Sequence, residues 1–280
     1  MRNCLRIYSI FLCLLFPFFW CNGQVQSYEE LIGKSYDFME KDSLDAAEVC
    51  LIAAMRLEPG NRYNYALLTN LGTIQRQLGK LDEALISYTA ALSRQPNNAL
   101  ILSNRASLYQ EMGDTENALT DYNTLLAKEP NRMEALYSRG ILYIKEKNFL
   151  SAEADFQHML EISDKSNKAR LGYAILEKMR GNYKESEDIF EYLIREEPKN
   201  IRLYEERAEL YFMEGKNGRA MSDLEKVFQQ NPDPGAEIYV LRGRVKLALY
   251  EKTAAANDFQ KALKKGYNQK VINELIKLTE

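Results

Sequence analysis

Histidine, tryptophan and usable cysteine are nearly missing from this chain. Its 280 residues include one His, one Trp, four Cys and seven Pro. Cys4, Cys13 and Cys21 all fall in the first 23 residues, leaving Cys50 alone in the remainder. One His158 and one Cys50 cannot assemble a zinc-type cluster or a Cys/His nucleophile pair. No glycine-rich phosphate loop follows a strand pattern, and no strand pattern is found. Carboxylates are plentiful, but acids scattered over helices are ordinarily solvated. The expectation is a chain without catalytic residues, metal or cofactor. Excess positive charge is also lacking, since 37 basic residues face 40 acidic ones. Nucleic acid is therefore not an expected partner.

Long apolar runs are absent except at the start. Arg2 and Arg6 precede an apolar run over residues 7–20, and Cys21, Asn22 and Gly23 offer a cleavage region before Gln24. This is the layout of a secretory signal peptide over residues 1–23. The run is short for a membrane span, which takes about 20 residues. A retained N-terminal anchor is the rival reading; lipidation of Cys21 fits less well because bulky Trp20 precedes it. Cleavage removes both arginines, leaves 35 basic against 40 acidic residues, and shifts the net charge from −3 to −5. With only Cys50 left, the mature chain has no intramolecular disulfide. An exported protein follows, periplasmic or associated with the cell envelope, with no stable membrane span after cleavage.

What the chain does have is a period. Pairs of small residues twelve positions apart recur at Ser35/Ala47, Gly72/Ala84, Ala106/Ala118, Gly140/Ala152, Ala174/Ser186, Ala208/Ala220 and Gly243/Ala255. Successive pairs are 37, 34, 34, 34, 34 and 35 residues apart, and Pro59, Pro96, Pro130, Pro198 and Pro232 close most units. A fixed period of this length builds a solenoid, which offers a surface more readily than a reaction centre.

The unit at 99–132 shows the local logic. Leu102, Ala106 and Tyr109 share one helical face, Gly113 stops the helix, and Ala118, Tyr122 and Leu125 share a face of a second helix ending near Pro130. Gly79, Gly181 and Gly215 repeat the stop, with Asn148 near the equivalent place in the fourth unit. Each unit reads as two antiparallel helices. Close crossing explains the small pairs, so Ala118→Leu should cost on the order of 1–3 kcal/mol.

These residues, above all the stretch 70–98, resemble the tetratricopeptide repeat family. The resemblance covers repeats at 28–61, 65–98, 99–132, 133–166, 167–200, 201–234 and 236–269. The first lacks the glycine turn, and Tyr267 replaces the closing Pro in the last. Val271, Leu275 and Leu278 mark 270–280 as a capping helix. The implied fold is an all-α, right-handed superhelical solenoid of about seven two-helix repeats plus that cap.

A second pattern lies inside the repeats. Arg105, Arg139, Arg207 and Arg242 each stand just before the first small residue, and each has an acid sixteen positions later: Asp121, Asp155, Asp223 and Asp258. Where Lys34, Leu71 and Tyr173 replace the Arg, Cys50, Ser87 and Ile189 replace the Asp. Matched presence and absence predicts a guanidinium–carboxylate bridge between the two helices of one repeat. A phosphate-binding row of arginines is the functional alternative.

In the resembled family the first helices line a concave side, which implies inward residues here. Repeats two and three present a polar band of Thr69, Asn70, Thr73, Arg76, Ser103, Asn104, Ser107 and Gln110. Repeats four and five present an apolar band of Tyr137, Ile141, Ile144, Leu171 and Ile175. Repeat six presents Glu205, Glu206 and Glu209. Asn70 and Asn104 match positions that hold peptide backbone in some members, since an amide donates and accepts at once; simple solvation is the other reading. Thr69 and Thr73 stand where a C-terminal-carboxylate clamp needs Lys and Asn, which excludes that ligand. The apolar band serves as a docking groove or homo-oligomer seam, or is buried by packing within the array. The function expected is an exported, non-enzymatic scaffold holding a protein or peptide partner; the alternative is recognition of extended peptides or cell-wall fragments.

Overall fold

The computed structural model describes residues 26–280; the leader expected at 1–23 lies outside them. Among the described residues there are 15 helices and no strands. They are α1 Tyr28–Glu40, α2 Leu44–Leu57, α3 Asn64–Gln77, α4 Leu81–Arg94, α5 Ala99–Met112, α6 Thr115–Lys128, α7 Met133–Lys145 and α8 Phe149–Ile162. α9 Asn167–Arg180, α10 Tyr183–Glu196, α11 Ile201–Met213, α12 Asn217–Gln230, α13 Ala236–Ala248, α14 Lys252–Lys264 and α15 Gln269–Lys277 complete the array. The chain divides into two compact units at a boundary within α4, the first ending at Ala91 and the second starting at Leu92.

Each helix pair turns through one left-handed residue, seven positions after the first small residue. Gly79, Gly113, Gly181 and Gly215 take it at φ of 74–86°, whereas Asp42, Lys147 and Tyr250 take it at 55°, 58° and 65°. The next residue then donates its N–H back five positions, as in Asp114 to Tyr109 (2.8 Å) and Asn182 to Glu177 (2.9 Å). This closes the helix ends. Two expectations change. The first repeat keeps the turn without a glycine, through Asp42, and in the fourth repeat Lys147, not Asn148, is the left-handed residue. Asn148 instead caps α8, accepting from the Ser151 N–H. The hydrogen-bond pattern of the turn outweighs the local preference for glycine.

Both small residues of every pair are buried, and a large one meets them. Sixteen positions after the first small residue stand Leu51, Tyr88, Tyr122, Phe156, Phe190, Leu224 and Phe259, none more than 1% exposed. A Cβ added to Gly140 or Gly172 would lie 2.6 or 2.5 Å from the Phe156 ring, and one on Gly243 2.4 Å from Phe259. No side chain fits at such separations, so glycine sets how closely the helices approach.

Unit one packs Leu31, Leu51, Leu67, Leu71 and Ile74 into a single core. In unit two each first helix from α7 to α11 touches its own second helix and the next first helix, and α13 touches α14. α15 covers the end of the array by packing Ile272 and Leu275 against α14.

Candidate functional site

The arginine–aspartate spacing gives a direct geometric outcome. Arg105 holds Asp121 through Nε and Nη2 at 2.8 and 2.7 Å, and Arg139 holds Asp155 at 2.9 and 2.6 Å. Arg207–Asp223 measures 2.7 and 2.8 Å, and Arg242–Asp258 2.8 and 2.6 Å. All four are two-pronged bridges within one repeat, with the aspartates buried and the arginines largely so. Hydrogen bonding to Asp121 holds the Arg105 pKa above its ordinary value although burial opposes it. These arginines are occupied internally, which removes them as a row for phosphate.

The polar band divides into residues tied down and residues left facing outward. In unit one, Thr69 is buried and donates to the Tyr65 carbonyl. Thr73 donates to the Thr69 carbonyl and meets the Tyr88 hydroxyl at 3.0 Å. Asn70 donates to the half-exposed Tyr36 hydroxyl at 3.2 Å, while Arg76 is partly exposed. In unit two, Gln110 accepts from Tyr122 at 2.9 Å, and Ser107 lies 3.3 Å from the same hydroxyl. Ser103 and Asn104 are partly exposed. The Asn104 amide has no side-chain partner among the described residues, so its donors and acceptor stay available.

The apolar band is mostly interior. Tyr137, Ile144, Leu171 and Ile175 are buried, and only Ile141 is partly exposed. The packing alternative accounts for the four, because α7 and α9 lie close enough to cover one another's inward faces. Tyr137 shows how tight this is: its hydroxyl accepts from Arg202 of α11 at 2.9 Å, and the Lys168 ammonium sits 5.0 Å from its ring centre. Burial pushes the Tyr137 pKa up, against the Arg202 charge.

The acidic band is partly neutralised by a residue that the repeat pattern did not single out. Lys178 on α9 is 2% exposed and donates to Glu206 and Glu209 of α11 at 2.8 and 2.5 Å. Burial alone would lower its pKa, yet the two carboxylates outweigh this and raise it. A further groove of about 290 Å³ beside them is lined by Glu205, Glu237, Arg244 and Tyr267. A second unforeseen group is Glu187, buried on α10, which accepts from Tyr211 (3.0 Å), Lys216 (3.1 Å) and Arg219 (2.8 Å) of repeat six. Lys178 does not recur at a fixed phase, so periodicity carried no signal for it. Glu187 directly follows the second small residue, as Glu48 and Glu153 do in repeats one and four, and that recurrence was the available signal. His158 is partly exposed and meets the Asn131 side-chain oxygen at 2.9 Å.

Among the described residues no helix is long and apolar enough to cross a membrane. Two family profiles match the chain: "TPR repeat" over residues 72–113 and "Tetratricopeptide repeat" over 103–167. Comparison with curated proteins returned no match. A crystal structure of a tetratricopeptide repeat protein from Parabacteroides merdae is 64% identical, with 91% of this chain and 99% of that chain covered and a TM-score of 0.85. PilW, a widely conserved type IV pilus biogenesis factor, matches at 19% identity over 75% of this chain and 98% of its own, with a TM-score of 0.60. The Cut9–Hcn1 hetero-tetramer of the APC/C matches at 12% identity over 92% and 57%, with a TM-score of 0.64. These two are similar in fold alone. Seven in-phase helix pairs and the close relationship to the Parabacteroides merdae protein agree: the chain belongs to the tetratricopeptide repeat family.

Proposed function

We propose that this protein is an exported, non-enzymatic scaffold of the cell envelope that holds a segment of a partner protein along its first helices. The observation that carries the reading is the partly exposed polar row of α5, where Ser107 and Gln110 are held by the Tyr122 hydroxyl while the Asn104 amide, beside partly exposed Ser103, has no internal partner. Such an amide pairs with a peptide N–H and C=O together. Asn70 and Tyr36 offer a comparable pair on unit one. The buried apolar residues shape these helices instead of meeting the partner, with Ile141 the one that keeps an accessible edge.

Affinity purification of the full chain from its own cell envelope tests this, with bound proteins and the mature N-terminus identified together by mass spectrometry. A chain beginning at Gln24 with a reproducible partner, lost on Asn104→Ala and kept on Glu116→Ala, is the expected result. An intact Met1 contradicts export, and a partner indifferent to Asn104 contradicts the binding face. Binding only of short peptides or cell-wall fragments, with no co-purifying protein, would favour the ligand-recognition alternative, which rests on the same amide.

A further inference from the structure

Repeat five breaks the pattern of its neighbours at three positions that meet in one groove. Four residues before the first small residue, the other repeats carry Leu31, Leu68, Leu102, Leu136, Tyr204 and Tyr239; repeat five alone carries a charge, Arg170. At the bridge positions it has Tyr173 and Ile189 in place of Arg and Asp. The guanidinium has thus moved one helical turn along α9, and the acid that would neutralise it is missing.

The consequence is a large opening between α8 and α10, over α9. Leu160, Arg170, Tyr173, Ile189 and Tyr192 line a groove of about 1120 Å³. The corresponding groove in repeat four, over Arg139 and Asp155, is about 470 Å³, and the one over Arg242 about 390 Å³. Arg170 lies against the Tyr192 ring at 5.3 Å and donates Nη2 to the Asp164 carbonyl at 2.7 Å. Its Nη1 is buried and has no hydrogen-bond acceptor among the described residues. The nearby Asp188 is taken by Lys184 at 2.6 Å. A guanidinium with a spare donor, stacked on one tyrosine and flanked by another with Leu160 and Ile189, is complementary to a carboxylate carried beside apolar side chains.

We propose that this groove is a second binding site, separate from the first-helix row, which takes an acidic residue flanked by apolar ones from a partner protein. The carboxylate accepts from Arg170 Nη1, and the flanking apolar side chains rest on Tyr173, Ile189 and Tyr192. The other grooves of this kind do not qualify, because their floor arginines are already paired.

The test uses the full chain and the peptide acetyl-Ala-Leu-Asp-Phe-Ala-amide, compared with the same peptide carrying Asn for Asp. Methyl resonances of Leu160 and Ile189 report the groove. The expected result is a saturable shift with the Asp peptide and roughly tenfold or weaker binding of the Asn peptide, the loss of one charge-assisted hydrogen bond. Arg170→Leu, which restores the residue type of the other repeats, abolishes the preference. Ile189→Asp, which supplies an internal carboxylate, abolishes it independently of how well Arg170→Leu folds. Asn104→Ala leaves it unchanged, which separates this site from the scaffold reading. Equal response to both peptides, no response of the groove methyls, or a preference that survives in either folded variant overturns the proposal.

Discussion

At the scale of single residues, the fold rests on pairs that fail when one member is removed. Asp121 is buried, and deleting its carboxylate removes the two-pronged counter-charge from the largely buried Arg105 guanidinium. Asp121→Ala should cost roughly 3 kcal/mol, near the low end for a broken buried pair because Arg105 keeps some access to water; chemical denaturation reads it. Replacing Arg105 and Asp121 together with apolar residues should recover much of that loss. Glu187 makes a pH-dependent contribution. Burial by itself would raise its pKa, but hydrogen bonds from Lys216 and Tyr211 and the charges of Lys216 and Arg219 outweigh it, holding the group below the ordinary 4.5. A carboxyl depressed on folding stabilises above its unfolded pKa and stops doing so as pH falls through the folded value. Wild type should therefore exceed Glu187→Gln in stability at pH 7, with the gap closing as pH falls below 4.5. A constant gap across that range would contradict the assignment.

At the scale of the helix and its turn, much was legible from the chain alone. Sixteen residues separate Arg from Asp in every bridged repeat, and that spacing sufficed because both ends lie within one helix pair. The small pairs were legible for the same reason: Ala118 is fully buried, and Ala118→Leu should cost on the order of 1–3 kcal/mol. What the sequence hid depends on contacts between repeats. The burial of Tyr137, Leu171 and Ile175 follows from how closely successive first helices stack, and Lys178 finds its acids on a helix 28 residues away or more. The left-handed turn residue was legible only where it is glycine. Lys147 and Tyr250 occupy the same geometry with a side chain, at a steric cost of about 1 kcal/mol. Lys147→Gly should thus raise stability by up to about 1 kcal/mol, less whatever the looser unfolded chain takes back. Thermal melting decides it, and a lowered midpoint would mean that the Lys147 side chain supports the turn in another way.

For the whole molecule, seven in-phase helix pairs create binding surfaces by repetition and specificity by departure from repetition. The floor of most repeats is sealed by a bridged Arg–Asp pair or by polar and apolar substitutes, whereas repeat five leaves a guanidinium in an open groove. In the third repeat, the Asn104 amide of α5 offers hydrogen bonds that the fold does not consume. Site-specific photocrosslinking in the producing cells tests binding on the polar row of α5. A crosslinker at Asn104 should capture one reproducible partner protein, and one at Glu116, on the second helix of the same repeat, should not. Capture from Glu116 alone, or equally from both positions, would contradict the first-helix row as the binding face.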